Sequence, residues 1–177
     1  MKAIYAGSFD PIHSGHINII RRAVNLFGSI TLLLADNPSK HYKLSSQDRL
    51  KYVTNILKDV GMNGVTVEIL PSNKFLADYC AENNVTHIVK GLRNGIDLEN
   101  EMSQEWYNKK LNENIETVYF TTEEGKRFLS STSIRYFAKM PRDKFIDYMK
   151  KTNLIEEMDE EKFIDYLWFI HNTYKED

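Results

Sequence analysis

The chain has 177 residues, 42% hydrophobic and 27% charged, with a formal net charge of −2 at pH 7. That length suits one domain with a sizeable core, and the near-neutral balance excludes a globally basic nucleic-acid or membrane binder; a small anionic ligand has to be held by local positive charge. "MKAIYAGSF" is too short an apolar run for a secretory leader and no stretch approaches membrane-spanning length, so the expected location is the cytoplasm. The first predicted strand is "AIYAG" (3–7), followed at once by "GSFDPIHSGH" (7–16) and a helical pattern over 15–27. Gly7 lets the chain turn sharply and brings a phosphate close to backbone N–H groups, and Pro11 stiffens the turn. Ser14-Gly15-His16 opens a helix whose free N–H groups and dipole attract anions. His13 and His16, three residues apart, can face the same phosphate. A metal reading of the pair fails because no Cys or carboxylate in the segment completes a plausible set.

The second strand, "ITLLLA" (30–35), is followed by "DNPSKHYK" and a helix over 46–60. "VTVEIL" (65–70) leads through "PSNKF" into a helix over 74–84, where the only cysteine, Cys80, reads as a packed thiol. A lone cysteine also excludes an internal disulfide framework and fits a reducing compartment. "HIVKG" (87–91) precedes "GLRNGIDLENE" and a helix over 98–112; "TVYFTT" (117–122) precedes "EEGKRFLSSTSIR". Beyond Leu129 the pattern is all helix. In the last segment (156–177), predicted helical from about Asp159, Phe163, Tyr166, Leu167 and Ile170 share one face and Trp168 and Phe169 widen it. The strands are mostly apolar without strict alternation, as in buried parallel strands, and strand and helix alternate, which predicts a doubly wound α/β sheet of five strands. One domain is expected over 1–150, with 151–177 as its helical C-terminal extension. Ligands of such sheets sit beyond the carboxyl ends of the strands, where strand order reverses. Four of the five segments there combine Lys or Arg with Gly, Ser or Asn, the make-up of a polyphosphate pocket. No G-x-G-x-x-G follows the first strand, and Gly125-Lys126 lacks the other P-loop residues, which argues against a dehydrogenase or a Walker-type ATPase.

"GSFDPIHSGH" resembles the T/HxGH motif of the nucleotidylyltransferase superfamily. "FLSSTSIR" (128–135) resembles its "ISSTxIR" signature, in which hydroxyls and amides at a helix start bind ATP phosphates. With "NPSK" and "KGLRNGIDLENE" in the same order, roughly residues 1–150 resemble bacterial phosphopantetheine adenylyltransferases. The resemblance implies a Rossmann-like parallel sheet, transfer of an adenylyl group from ATP to 4'-phosphopantetheine with release of pyrophosphate, and a homo-hexamer. It also implies Mg²⁺ held mainly through the ATP phosphates, with no nucleic-acid or membrane partner. Residue by residue, it makes His16 the transition-state histidine and Lys40 the lysine that reaches the reacting phosphates. Ser8 and Phe9 fall in the turn shared by ATP and acceptor, and Gly91, Leu92, Arg93 and Glu101 on the nucleotide. Lys126, Arg127, Phe128, Leu129, Ser130, Ser131 and Thr132 match the ATP-binding segment before and into the last motif's helix. Leu76 and Lys90 fall on the acceptor side.

Three features depart from the family pattern. His13 stands where Thr is usual, Lys90 replaces an Arg that grips the acceptor phosphate, and Lys74 and Leu76 occupy a stretch where other residues are usual. His13 keeps open an adenylyltransferase acting on nicotinate or nicotinamide mononucleotide. A cytidylyltransferase shares the first motif but not "SSTSIR", and a non-catalytic ADP- or CoA-binding regulator has no need of both His16 and Lys40.

Overall fold

The apolar runs become β1 (Ala3–Gly7), β2 (Ile30–Leu34), β3 (Val65–Ile69), β4 (His87–Leu92) and β5 (Glu116–Thr121) in the computed structural model, which describes residues 1–37, 40–126, 128–155 and 158–175. Every neighbouring pair is parallel, in the order β3-β2-β1-β4-β5. The expected doubly wound, Rossmann-like sheet is therefore present, and its order reverses between β1 and β4. Between the strands run α1 (Ser14–Phe27), α2 (Ser46–Asp59), α3 (Leu76–Glu82) and α4 (Gly95–Leu111). A 3₁₀ turn (Glu124–Lys126) follows β5, then α5 (Ser131–Phe137), α6 (Arg142–Lys151) and α7 (Glu160–Tyr174). No helix among the described residues is long and apolar enough to cross a membrane.

Side chains alternate across each strand, which splits the core in two. Ala3, Tyr5, Leu32, Leu34 and Val89 meet α1, α2 and the helices after β5, whereas Ile4, Leu33 and Ile88 meet Ala77, Tyr79 and Cys80 of α3. The central strands are thus buried on both faces, which is why their sequences read as continuous apolar runs. Helix ends follow local capping. The Ser45 side chain accepts the Asp48 N–H at 3.1 Å to start α2. The Asn94 side chain accepts the Asp97 N–H at 2.9 Å, so α4 begins at Gly95, ahead of the residue 98 that periodicity indicates. None of the side chains of α4 is buried.

The last helix forms where expected, after the N-cap Asp159. It buries Tyr166, Leu167, Ile170 and Tyr174 and partly buries Phe163. Trp168 and Phe169 do not join the buried stripe. They lie on the outer flank, 39% and 37% exposed, under the Arg142 guanidinium (4.4 Å) and beside the Tyr52 ring (5.4 Å). His171 Nε2 donates to the Met140 carbonyl at 3.1 Å and ties α7 to the turn between α5 and α6.

Candidate active site

A cavity of about 290 Å³ opens at the carboxyl ends of β1 and β4, at the point where strand order reverses. Its floor is Tyr5, Gly7 and Gly91, and one wall is the turn Ser8–Phe9 with His13, Gly15, His16 and Ile19 of the α1 start. Arg93, Asp97 and Glu101 come from the β4 end and α4; Thr122 and Lys126 follow β5; Leu129, Ser130, Ser131 and Thr132 lead into α5; Lys40 reaches in from beyond β2. Lys40, Arg93 and Lys126 make the cavity locally cationic on a chain of net charge −2.

The turn from residue 8 to 13 is shaped by side chains behind it. Phe9 has φ 47°, a left-handed conformation that is costly for a bulky residue, by about 1–3 kcal/mol. It persists because the Phe9 ring is fully buried and the Tyr52 hydroxyl donates to its carbonyl. The same ring explains Gly7: a Cβ there would lie 3.0 Å from Phe9 Cζ. Gly7 is therefore needed for clearance within the turn as well as for ligand approach. At Gly15 a Cβ would come within 2.9 Å of His13 Cε1, so glycine lets the His13 ring fold over the helix start. The remaining carbonyls are also engaged. Arg49 Nη1 donates to the Ser8 carbonyl at 3.0 Å and Ser131 Oγ to that of Pro11 at 2.8 Å. Arg135 donates to the Asp10 carbonyl, and the Tyr166 hydroxyl to that of Ile12 at 2.6 Å. With its carbonyls so occupied, the turn presents little acceptor character to an anion.

His16 lies between two rings, with centroids 5.1 Å from Phe9 and 3.8 Å from His13. Its Nδ1 accepts the His13 backbone N–H at 3.3 Å, which places the proton of the neutral imidazole on Nε2. Burial, and then the nearby charges of Arg93 and Lys40, push the His16 pKa down to about 3. Burial, followed by His16 and Arg93, lowers that of His13 as well, and His13 Nδ1 has no hydrogen-bond partner among the described residues. Both rings are therefore neutral at physiological pH, and His16 is a neutral N–H donor. Burial, then Arg135, lowers the Lys40 pKa. Arg93 is gripped by Asp97 through Nε (2.9 Å) and Nη2 (3.0 Å), and that hydrogen bonding raises the Arg93 pKa and lowers the Asp97 pKa.

The fold brings together Ser8, Phe9, His16, Lys40, Gly91, Arg93, Glu101, Lys126, Leu129, Ser130, Ser131 and Thr132, all named from sequence. Leu92, Leu76, Phe128 and Lys90 are not on this lining. Phe128 is 94% exposed and borders a neighbouring cavity that shares Lys126 and Leu129. Lys90 Nζ pairs with Glu101 at 2.7 Å, so it stands one side chain behind the cavity wall, while Lys74 pairs with Glu82. Arg127 lies outside the described residues, as do Pro38 and Ser39 of the "NPSK" stretch. Sequence reasoning missed Asp97, whose place four residues after Arg93 on one helix face was the available signal. It also missed Arg49, Tyr52, Arg135, Tyr166 and Tyr174, which shape the turn from outside.

The cytidylyltransferase-like family model matches residues 4–137. A phosphopantetheine adenylyltransferase of Clostridium tetani is 36% identical over 159 residues, covering 85% of this chain and 97% of that protein. The one from Mycoplasma mycoides subsp. mycoides is 38% identical, covering 75% of this chain and 93% of its own length. Among solved structures, Plasmodium falciparum nicotinic acid mononucleotide adenylyltransferase complexed with NaAD superposes with a TM-score of 0.57 at 17% identity, covering 88% of this chain and 97% of that one. A likeness at that identity speaks for the shared fold alone. The sequence relatives go further: with identity above a third along nearly the whole of the Clostridium tetani protein, the chain belongs to the phosphopantetheine adenylyltransferase family of cytidylyltransferase-like nucleotidyltransferases.

Proposed function

We propose that this protein transfers the adenylyl group of ATP to 4'-phosphopantetheine, forming dephospho-CoA and pyrophosphate in coenzyme A biosynthesis. The observation that carries the reading is the cationic cleft at the β1/β4 strand ends, in a chain whose relatives of that name match it over most of its length. The acceptor phosphate is already ionised at neutral pH. One of its oxygens attacks the α-phosphorus of ATP, a new P–O bond forms, and the bond from the α-phosphorus to the β-phosphate oxygen breaks, with pyrophosphate leaving on that electron pair. No proton is removed from the nucleophile, so catalysis is alignment of two anions plus stabilisation of charge.

His16 Nε2–H and Lys40 are proposed to act on the α-phosphate. Gly91, Leu92, Arg93, Glu101 and the Lys126–Thr132 segment hold ATP. The Thr132 hydroxyl, which only accepts within the protein, and the charges of Arg93 and Lys126 suit a triphosphate. Ser8, Lys40, Lys90 and Leu76 are assigned to the acceptor side, and Lys90 has to turn from Glu101 to meet the acceptor phosphate. Of the carboxylates on the cavity wall, Asp97 is committed to Arg93 and Glu101 is assigned to the nucleotide. That donor set suits Mg²⁺ carried on the triphosphate oxygens and water, with no protein ligand assigned. Magnesium held in that way would supply positive charge against the departing pyrophosphate. The chemistry and the single thiol favour a cytoplasmic place of action.

Pyrophosphate release from ATP and Mg²⁺, measured with 4'-phosphopantetheine and separately with nicotinate or nicotinamide mononucleotide, tests the reading. Turnover is expected with the first acceptor and far less with the others; the reverse order overturns it. Lys90→Ala is expected to raise the KM for phosphopantetheine much more than that for ATP, and Lys90→Arg to be tolerated. Equal effects of Lys90→Ala on both KM values remove Lys90 from the acceptor side.

A further inference from the structure

The helix α7 lies beyond residue 137, where the family match ends, yet it touches the catalytic turn at two points. The buried Tyr166 hydroxyl donates to the Ile12 carbonyl at 2.6 Å, and the Tyr174 hydroxyl donates to the fully buried Asp10 carboxylate. The first contact has a specific chemical sense. The Ile12 carbonyl and the His13 N–H belong to one planar peptide group, and that N–H is the donor to His16 Nδ1 at 3.3 Å. A chain of hydrogen bonds thus runs from Tyr166 through the Ile12–His13 peptide to the imidazole ring, ending on the Nε2–H that the cavity receives.

We propose that Tyr166 is a positioning residue for His16: by holding the Ile12–His13 peptide it fixes the ring's orientation and its Nε2–H tautomer. Tyr174 steadies the same turn two residues earlier through Asp10. A donor on the carbonyl also polarises the peptide, so the N–H bond to His16 strengthens when Tyr166 bonds and weakens when it does not. Among the described residues the side-chain donor to the Ile12 carbonyl is Tyr166, while the Tyr52 hydroxyl donates to Phe9 and also bonds the Ile12 backbone. The donors to the neighbouring carbonyls, Ser131 at Pro11 and Arg135 at Asp10, are already spent on their own peptides. Tyr166 is held in its protonated, donating form by burial, which raises its pKa well above the usual value. The residue therefore works in the same sense throughout the neutral range.

The inference rests on the adenylyl-transfer reading only for its kinetic consequence, so the test has two separable arms. In ligand-free full-length protein, ¹⁵N NMR is expected to show His16 as the Nε2–H tautomer, with a scalar coupling across the bond from the His13 amide to His16 Nδ1. Tyr166→Phe should weaken that coupling, shift the His13 amide proton upfield and mix the tautomers. The kinetic arm expects kcat to fall about three- to tenfold, the loss of one neutral hydrogen bond, with the KM for ATP within about twofold. Ile170→Val, which trims the same buried helix face without touching the chain of bonds, should lower Tm while leaving the coupling and kcat as they are. If Tyr166→Phe does not fold, 3-fluorotyrosine placed at position 166 alone replaces it, and the stronger hydroxyl donor should move the His13 amide proton downfield. An Nδ1–H tautomer in the unaltered protein, or a His13 signal unmoved by either change at position 166, overturns the proposal. Absence of any transfer activity alongside an intact NMR signature overturns the functional reading instead.

Discussion

At the scale of single residues, the informative fact is that both active-site histidines are neutral. In the proposed transfer, an N–H donor at His16 would contribute most when charge has built up on the α-phosphate, so its removal should act on kcat. His16→Ala is expected to lower turnover by about 10²–10³, with ATP affinity little changed. His13→Thr, which leaves the His13 backbone N–H in place, should be much milder; steady-state kinetics with direct ATP binding separates the two. The same neutrality sets a pH dependence of stability. Burial holds both folded pKa values below the ordinary value of about 6.5, with that of His16 at about 3, so below pH 6.5 the unfolded chain binds more protons than the folded one. Stability is therefore complete above pH 6.5 and is lost as pH falls toward the folded values, by at most about 1.4 kcal/mol per pH unit for each histidine. Thermal melts from pH 7.5 to 5 should show that decline, and His13→Thr should flatten it. Identical melts at the two extremes would rule it out.

At the scale of elements, α7 is the part least expected to bear on the site. Cutting the chain after Asn153 removes Leu154, Tyr166, Leu167, Ile170 and Tyr174, all buried, and a Leu154 carbonyl that accepts the Ser14 N–H at 2.7 Å. At about 1.5–3 kcal/mol per buried side chain, the loss approaches the whole stability of an ordinary domain. The truncated chain is expected to be insoluble or unfolded at 25 °C. A truncated protein that melts like the full chain would mean that α7 is an appendage. The elements also show what the sequence could and could not carry. Strand positions were legible because β1, β2 and β4 are buried on both faces, and the motif residues were legible because they follow strand ends. The start of α4 was not, because a cap at Asn94 decides it rather than periodicity. The props of the turn were hidden for a different reason. Arg49, Tyr52, Arg135 and Tyr166 bond to backbone carbonyls, which have no letter in the sequence, across separations from 41 residues upward. Trp168 and Phe169 failed as core residues because the buried face of α7 is narrower than its apolar content suggests.

At the scale of the whole molecule, α4 stands out: Ile96, Met102, Trp106, Tyr107 and Leu111 are 54–71% exposed along a helix that buries nothing. Such a face supports the homo-oligomer, a hexamer by family resemblance, that we propose as the working state. Trp106→Glu should reduce the mass measured by light scattering toward that of the 20.7 kDa chain; an unchanged mass would place the contact elsewhere. The neighbouring helix α3 offers a contrast. Cys80 of α3 is fully buried against the sheet, and burial pushes its thiol up to about 12. At pH 8 only about one such thiol in 10⁴ is ionised, and that one is shielded from solvent. The native protein is thus expected to react slowly with maleimides and in disulfide exchange. A cysteine engineered at any surface position can be tagged alone without first removing the natural one, and slow labelling of Cys80 becomes a built-in clock for how often the α3 side of the sheet opens.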